Sequence, residues 1–220
     1  MSKKRITVRS LKTDVVNAAK WIYRKGLVDI GEGNVSTRIP YKNELLITPT
    51  YNDYENLIEK DIVHLRFDGK QLNKNKSPST EFRLHVSIYK ARPKAQVVIH
   101  THSPYATMLS VIKKEIPILM EEMVILLGGD IKISNFELAH TEKIGINAIN
   151  AMDKTNAILL ANHGVLVCGR NIDLSLKAAE LVEKMAMIYW GSLQIGKPFE
   201  IPKEAFIKFY EDFNSKFSTY

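Results

Sequence analysis

Cysteine is almost missing: Cys168 is the only one in 220 residues. A single thiol excludes an intramolecular disulfide framework and fits a reducing cytoplasm. It has no CxxC partner and lies in the apolar run GVLVCG, which predicts a structural rather than a reactive thiol. No apolar run reaches the roughly 18 residues that a membrane span needs, so none is expected. The opening MSKKRITVRSLKTDVV is basic, but no apolar core segment follows before Asp14, so no secretory signal is expected. Internal repeats, low-complexity linkers and a basic stripe are missing too. The formal net charge of +7 is spread along the chain and interleaved with acids, as in IEKDIVHLRFDGK. That pattern predicts a lysine-rich solvated surface, mildly attractive to phosphorylated substrates, with no nucleic-acid partner.

What is present suits one mixed α/β domain over residues 1–220, with 45% hydrophobic content and length enough for a sizeable core. Leu11, Val15, Ala18, Ala19 and Ile22 share a helical face, and Gly26 can end that helix. Gly31–Pro40 (GEGNVSTRIP) is a glycine-bearing turn leading into a short strand. Glu44–Thr50 (ELLITPT) is a strand stopped by Pro49. IVHLRF, Asp68-Gly69 and KQL form a hairpin pattern, followed by the polar loop NKNKSPS. Ser79–Pro93 predicts a helix capped by Ser79 or Thr80, with Glu81 in its first turn and Pro93 at its close. The strand VVIHTH follows, and Ser103-Pro104 opens another helix. A helix is expected near Thr141–Met152. Asn156–Gly169 predicts two buried strands broken at Asn162-His163-Gly164. A long amphipathic helix capped by Asn171 or Asp173 and a helical tail from IPKEAF onward complete the chain.

The chemistry starts at His100 and His102. Side chains alternate along a strand, so residues two apart face the same side. Two imidazoles at the end of an apolar strand are costly to bury unpaired, and they suit two ligands of one metal ion. His163, at the break before Gly164, is the candidate third ligand. Three neutral histidines leave an open position on a divalent ion, the pattern of a catalytic site. Glu81 can serve as a general base or fourth ligand, or only offset the helix dipole. Ser79 and Thr80 put hydroxyls at a helix N-terminus, a place that binds phosphate. His85, one turn after Glu81, either bonds that carboxylate or packs in the helix. Asn34, Thr48 and Thr50 add polar donors on loops.

The series GNVS (Gly33–Ser36), ITPT (Ile47–Thr50), STE (Ser79–Glu81), HTH (His100–His102) and NHG (Asn162–Gly164) resembles the class II aldolase/adducin family from about Leu11 to Trp190. The resemblance implies a three-layer α/β/α sandwich with a central, mainly antiparallel sheet. It also implies a homotetramer with active sites near subunit interfaces. By motif position, His100, His102 and His163 are the metal ligands, and Zn²⁺ is the leading ion ahead of Mn²⁺ or Co²⁺. Glu81 is the acid/base. Asn34, Thr50, Ser79 and Thr80 are the phosphate cradle. The implied reaction is reversible cleavage of a ketulose 1-phosphate, of the fuculose or 5-deoxypentulose type, to dihydroxyacetone phosphate and an aldehyde. Epimerisation, dehydration of methylthioribulose 1-phosphate and decarboxylation are the alternatives on this scaffold. A non-catalytic, adducin-like interaction module is less expected, because it has no need of the histidines. Two departures stand out. Tyr51 replaces a glycine after ITPT, and Glu121 or Glu122 stands where a tyrosine acid is usual.

Overall fold

The computed structural model describes residues 7–220 apart from Asn52 and Asn75. Residues 1–6, part of the basic opening, lie outside the described residues. Seven strands form one sheet in the order β3-β2-β1-β4-β7-β6-β5. They are β1 Asn34–Arg38, β2 Glu44–Ile47, β3 Val63–Arg66, β4 Val97–Thr101, β5 Lys132–Ser134, β6 Ala157–Leu160 and β7 Gly164–Gly169. Every neighbouring pair is antiparallel except β5–β6. Six helices flank it: α1 Val8–Arg24, α2 Phe82–Ala91, α3 Pro104–Val111, α4 Glu142–Met152, α5 Ile172–Ile195 and α6 Lys203–Lys216. Among the described residues no helix is long and apolar enough to cross a membrane.

Alternation along the strands builds two cores. Val35, Val97, Ile99, Val165 and Val167 face one side, with α1, α3 and α5. Leu45, Ile47, Val98, Leu166 and Cys168 face the other, with α2 and α4. The expected α/β/α layering and mainly antiparallel sheet are therefore present. The same parity sends Asn34, Ser36 and His100 toward the α2 side, because Asn34 pairs with His100 and Ser36 with Val98.

Local signals explain most boundaries. The apolar stripe of α1 ends at Gly26, whose φ of +69° closes the helix with bonds from Gly26 N–H to Tyr23 and from Leu27 N–H to Ile22. Asn171 caps α5 by accepting from Leu174 N–H at 2.9 Å. Two expectations are corrected. Neither Ser79 nor Thr80 caps α2; Glu81 occupies the cap position and makes no side-chain cap bond. The β3 hairpin turns at Asp68-Gly69, but its return arm is a single bridge from Gln71 to Leu65. Ser103 and Pro104 open α3 as expected, in the cap and first helical positions, and the Glu183 carboxylate supplies the cap bonds by accepting from Tyr105 and Ala106 N–H, both at 2.9 Å.

Candidate metal centre and active site

Three chain segments converge at one end of the sheet. β4 carries His100 and ends at Thr101, one residue before His102. The β6–β7 hairpin turns through Ala161, Asn162 and His163, with Asn162 in the left-handed region at φ +55°. Gly164 is needed there because a Cβ would lie 2.3 Å from the Thr101 carbonyl oxygen and 2.9 Å from His102 Cδ2. Gly33 allows a similar approach on the other side: its φ is +59° and a Cβ would lie 2.6 Å from the His100 carbonyl oxygen.

One ring nitrogen from each of His100, His102 and His163 lies within 4.8 Å of the others. His100 Nδ1–H donates to the Val165 carbonyl at 2.8 Å, so its Nε2 turns an unshared pair inward. His102 Nε2 sits 2.9 Å from it. Glu81 Oε2 is 3.3 Å from His100 Nε2, and Oε1 is 3.2 Å from His163 Nε2. Oε1 is buried and, among the described residues, has no hydrogen-bond partner. Burial, and then the neighbouring His102, pushes His100 down to about 3. Burial and then His100 push His163 down to about 4, against the pull of Glu81. These imidazoles are neutral at ordinary pH, the state in which histidine ligates metals. The inward lone pair of His100, the ring nitrogens of His102 and His163 and the buried Glu81 carboxylate make a donor set that fits a divalent ion.

Beside this cluster is a cavity of about 100 Å³, lined by Glu32, Asn34, Thr50, Ser79, Thr80 and Glu81, among others. Its walls are tied together across two loops: Pro49 bridges Pro78, Thr50 N–H donates to Ser77 and Ser79 N–H to Thr48. The four expected phosphate residues thus share one cavity. Tyr51 also lines it, with φ +48° and the residue 87% exposed, so it does not fill the loop. Glu121 and Glu122 are exposed residues just before the π-helical turn Met123–Leu127. Among the described residues they make no hydrogen bond or ion pair with the histidines.

Three participants carried no assigned role in the motif reading. Tyr54 donates to the carbonyls of Glu32 and Gly33 at 2.8 and 2.7 Å and so fixes the GEGN loop. Glu32 Oε2 lies 3.7 Å from His102 Nδ1. Ser36 meets His85 Nδ1 at 2.7 Å. His85 does not bond Glu81 directly; it bonds Asn34, which donates to Glu81 Oε2 at 2.8 Å. Only Ser36 had a signal in sequence, as the last residue of GNVS. Cys168 is buried, as expected of a structural thiol; burial pushes its pKa up.

A profile of the "Class II Aldolase and Adducin N-terminal domain" matches residues 13–190. The chain is 33% identical over 211 residues to a 5-methylthioribulose-1-phosphate/5-deoxyribulose-1-phosphate aldolase of Rhodospirillum rubrum, covering 96% of this chain and 92% of that protein. It is 35% identical over 193 residues to an L-fuculose phosphate aldolase of Haemophilus influenzae, covering 87% of each. A solved structure of an L-fuculose 1-phosphate aldolase superposes with a TM-score of 0.88 at 29% identity, covering 93% of this chain and 96% of that one.

Proposed function

The chain belongs to the class II aldolase and adducin family, and from that premise we propose that it is a divalent-metal-dependent aldehyde-lyase. Its substrate is a ketulose 1-phosphate of the fuculose or 5-deoxypentulose type, cleaved reversibly to dihydroxyacetone phosphate and an aldehyde. The observation that supports this most is the gathering of three histidine nitrogens within 4.8 Å, with His100 and His163 at 3.3 and 3.2 Å from the buried Glu81 carboxylate, beside a hydroxyl- and amide-lined cavity.

His100, His102 and His163 would hold the ion, with Zn²⁺ favoured ahead of Mn²⁺ or Co²⁺. Bound there, it supplies Lewis acidity toward oxygens that gain negative charge. Asn34, Thr50, Ser79 and Thr80 receive the phosphate, and this remote binding orients the sugar. Cleavage breaks the C3–C4 bond. The C4 hydroxyl loses its proton as the aldehyde forms, and the protonated Glu81 carboxyl delivers a proton to C3. One carboxyl gains a proton and one loses it, so the step balances. The acceptor on the aldehyde side is assigned to Glu121 or Glu122, which are exposed and so available to a site near a subunit interface. The chain acts as one domain in a cytoplasmic homotetramer. Met108 and Val111 on α3, Ile112 just past it, and Met187, Trp190 and Leu193 on α5 leave apolar area exposed that a second copy would cover.

The test is release of dihydroxyacetone phosphate from a panel of ketulose 1-phosphates, using metal-stripped protein with single divalent ions added back. Ion-dependent release from one substrate supports the lyase. Substrate consumed without the three-carbon phosphate replaces it with an epimerase, dehydratase or decarboxylase. An unchanged rate in the Glu121→Gln/Glu122→Gln double variant removes both glutamates from the mechanism.

A further inference from the structure

A buried hydrogen-bond chain runs from beneath α2 to Glu81. Its links are Tyr89 hydroxyl to Ser36 Oγ at 2.7 Å, Ser36 Oγ to His85 Nδ1 at 2.7 Å, His85 Nε2 to Asn34 Oδ1, and Asn34 Nδ2 to Glu81 Oε2 at 2.8 Å. Ser36, His85, Tyr89 and Asn34 are all buried. Nothing in the proposed chemistry so far uses Ser36, His85 or Tyr89.

The direction of the chain follows from one end. A carboxylate only accepts, so the Asn34 nitrogen must face Glu81 and its oxygen must face His85. His85 therefore carries its proton on Nε2. Its Nδ1 is then an acceptor, Ser36 donates to it, and Tyr89 donates to Ser36. Burial keeps His85 neutral, so it has one ring proton to place; burial also pushes the Tyr89 phenol up, which keeps it a donor. Asn34 also lines the phosphate cavity, and its amide nitrogen has a second hydrogen.

We propose that His85 is a positioning residue: held by Ser36 as the Nε2–H tautomer, it locks the Asn34 carboxamide so that one amide nitrogen serves both Glu81 and the phosphate cavity. Without that lock the amide can turn over and present its oxygen to the carboxylate and to the phosphate. Substrate phosphate and Glu81 placement are thereby coupled through one side chain. This role presupposes Glu81 as the acid/base and Asn34 as a phosphate ligand.

Nitrogen-15 NMR of histidine-labelled native protein reads the tautomer directly, with the His85 signal assigned from its loss in His85→Gln. Protonated Nε2 and bare Nδ1 are expected; protonated Nδ1 overturns the inference. Two variants add a functional readout. In His85→Gln the amide nitrogen takes the place of Nε2 and can still donate to Asn34. In His85→Asn the amide reaches only to where Nδ1 was. Both are checked for folding by thermal melting. His85→Asn should lose kcat on the order of 10²-fold and bind inorganic phosphate, measured as an inhibitor, about tenfold more weakly, while His85→Gln stays near wild type in both. Equal loss in the two folded variants overturns the inference. Full activity in Glu81→Gln overturns the acid/base role instead, and the tautomer then decides the inference alone.

Discussion

The two ends of the central sheet both carry buried polar networks, and they differ in whether the network is complete. At the end opposite the histidines, Arg92 is 1% exposed. It donates to the Thr155 carbonyl at 3.0 Å, to the Asp153 carbonyl and to Thr219 Oγ1 at 3.4 Å. Asn156 donates to the Phe217 carbonyl at 2.9 Å and accepts from Thr219 N–H and Oγ1 at 3.2 and 2.7 Å. Arg170 Nε donates to the Ser218 carbonyl at 2.8 Å. Here protein donors meet protein acceptors, and residues 217–219 are fastened to the sheet. At the histidine end the accounting does not close: among the described residues Glu81 Oε1 has no hydrogen-bond partner, only His163 Nε2 at 3.2 Å, and three ring nitrogens crowd within 4.8 Å of one another. A saturated polar network holds a fold together, whereas an unsaturated one of equal burial is waiting for a ligand.

Substitutions at the two ends should therefore separate activity from stability. The largest effect is expected for Glu81→Gln, which should lower kcat about 10²–10⁴-fold with the melting temperature almost unchanged. Arg92→Met should do the reverse. It takes the donor from the buried Thr155 carbonyl and from the part-buried Asp153 carbonyl and costs about 2–4 kcal/mol, lowering Tm on the order of 10 °C, with kcat per folded molecule retained. A smaller effect involves pH. Burial, then His100, holds His85 in the folded chain at about 3, well below the ordinary 6.5 of an imidazole, with Glu81 opposing. Below pH 6.5 the unfolded chain takes a proton that the folded chain refuses. The contribution of His85 is thus fully present above pH 6.5 and lost toward pH 3, with a slope of up to about 1.4 kcal/mol per pH unit. Melting curves of wild type and His85→Gln should diverge in slope over that window; parallel curves refute it. Thr219→Val is the mildest, about 1 kcal/mol of stability with kinetics intact. A loss of kcat from Arg92→Met or Thr219→Val in folded protein would break the distinction between the ends.

Much of this division was legible in sequence. The pair His100 and His102, the break at His163 and the loops bearing Asn34, Thr50 and Ser79 are local patterns, and the structure brings them to one place. What stayed hidden depends on partners distant in the chain. The Glu81 carboxylate turns toward Asn34 and the histidines instead of capping α2, because β1 and β4 supply stronger partners than the helix N–H groups. His85 reads as a helix residue, but its bonds go to Ser36 and Asn34 on β1, across a register no local signal fixes. β5 is only Lys132–Ser134, one residue of it exposed, and it pairs parallel with β6, so no alternation reveals it. The fastening of residues 217–219 by Arg92 and Asn156 has no sequence signature at all.

The histidine end is proposed to hold a divalent ion. This is tested most directly by titrating metal-stripped protein with Zn²⁺ against a competing chelator, beside His163→Ala. One ion per chain is expected for the native protein. The variant should bind at least about 10²-fold more weakly and melt within a few degrees of the metal-free native protein. Equal binding by the two proteins, or no binding by either, would contradict the account.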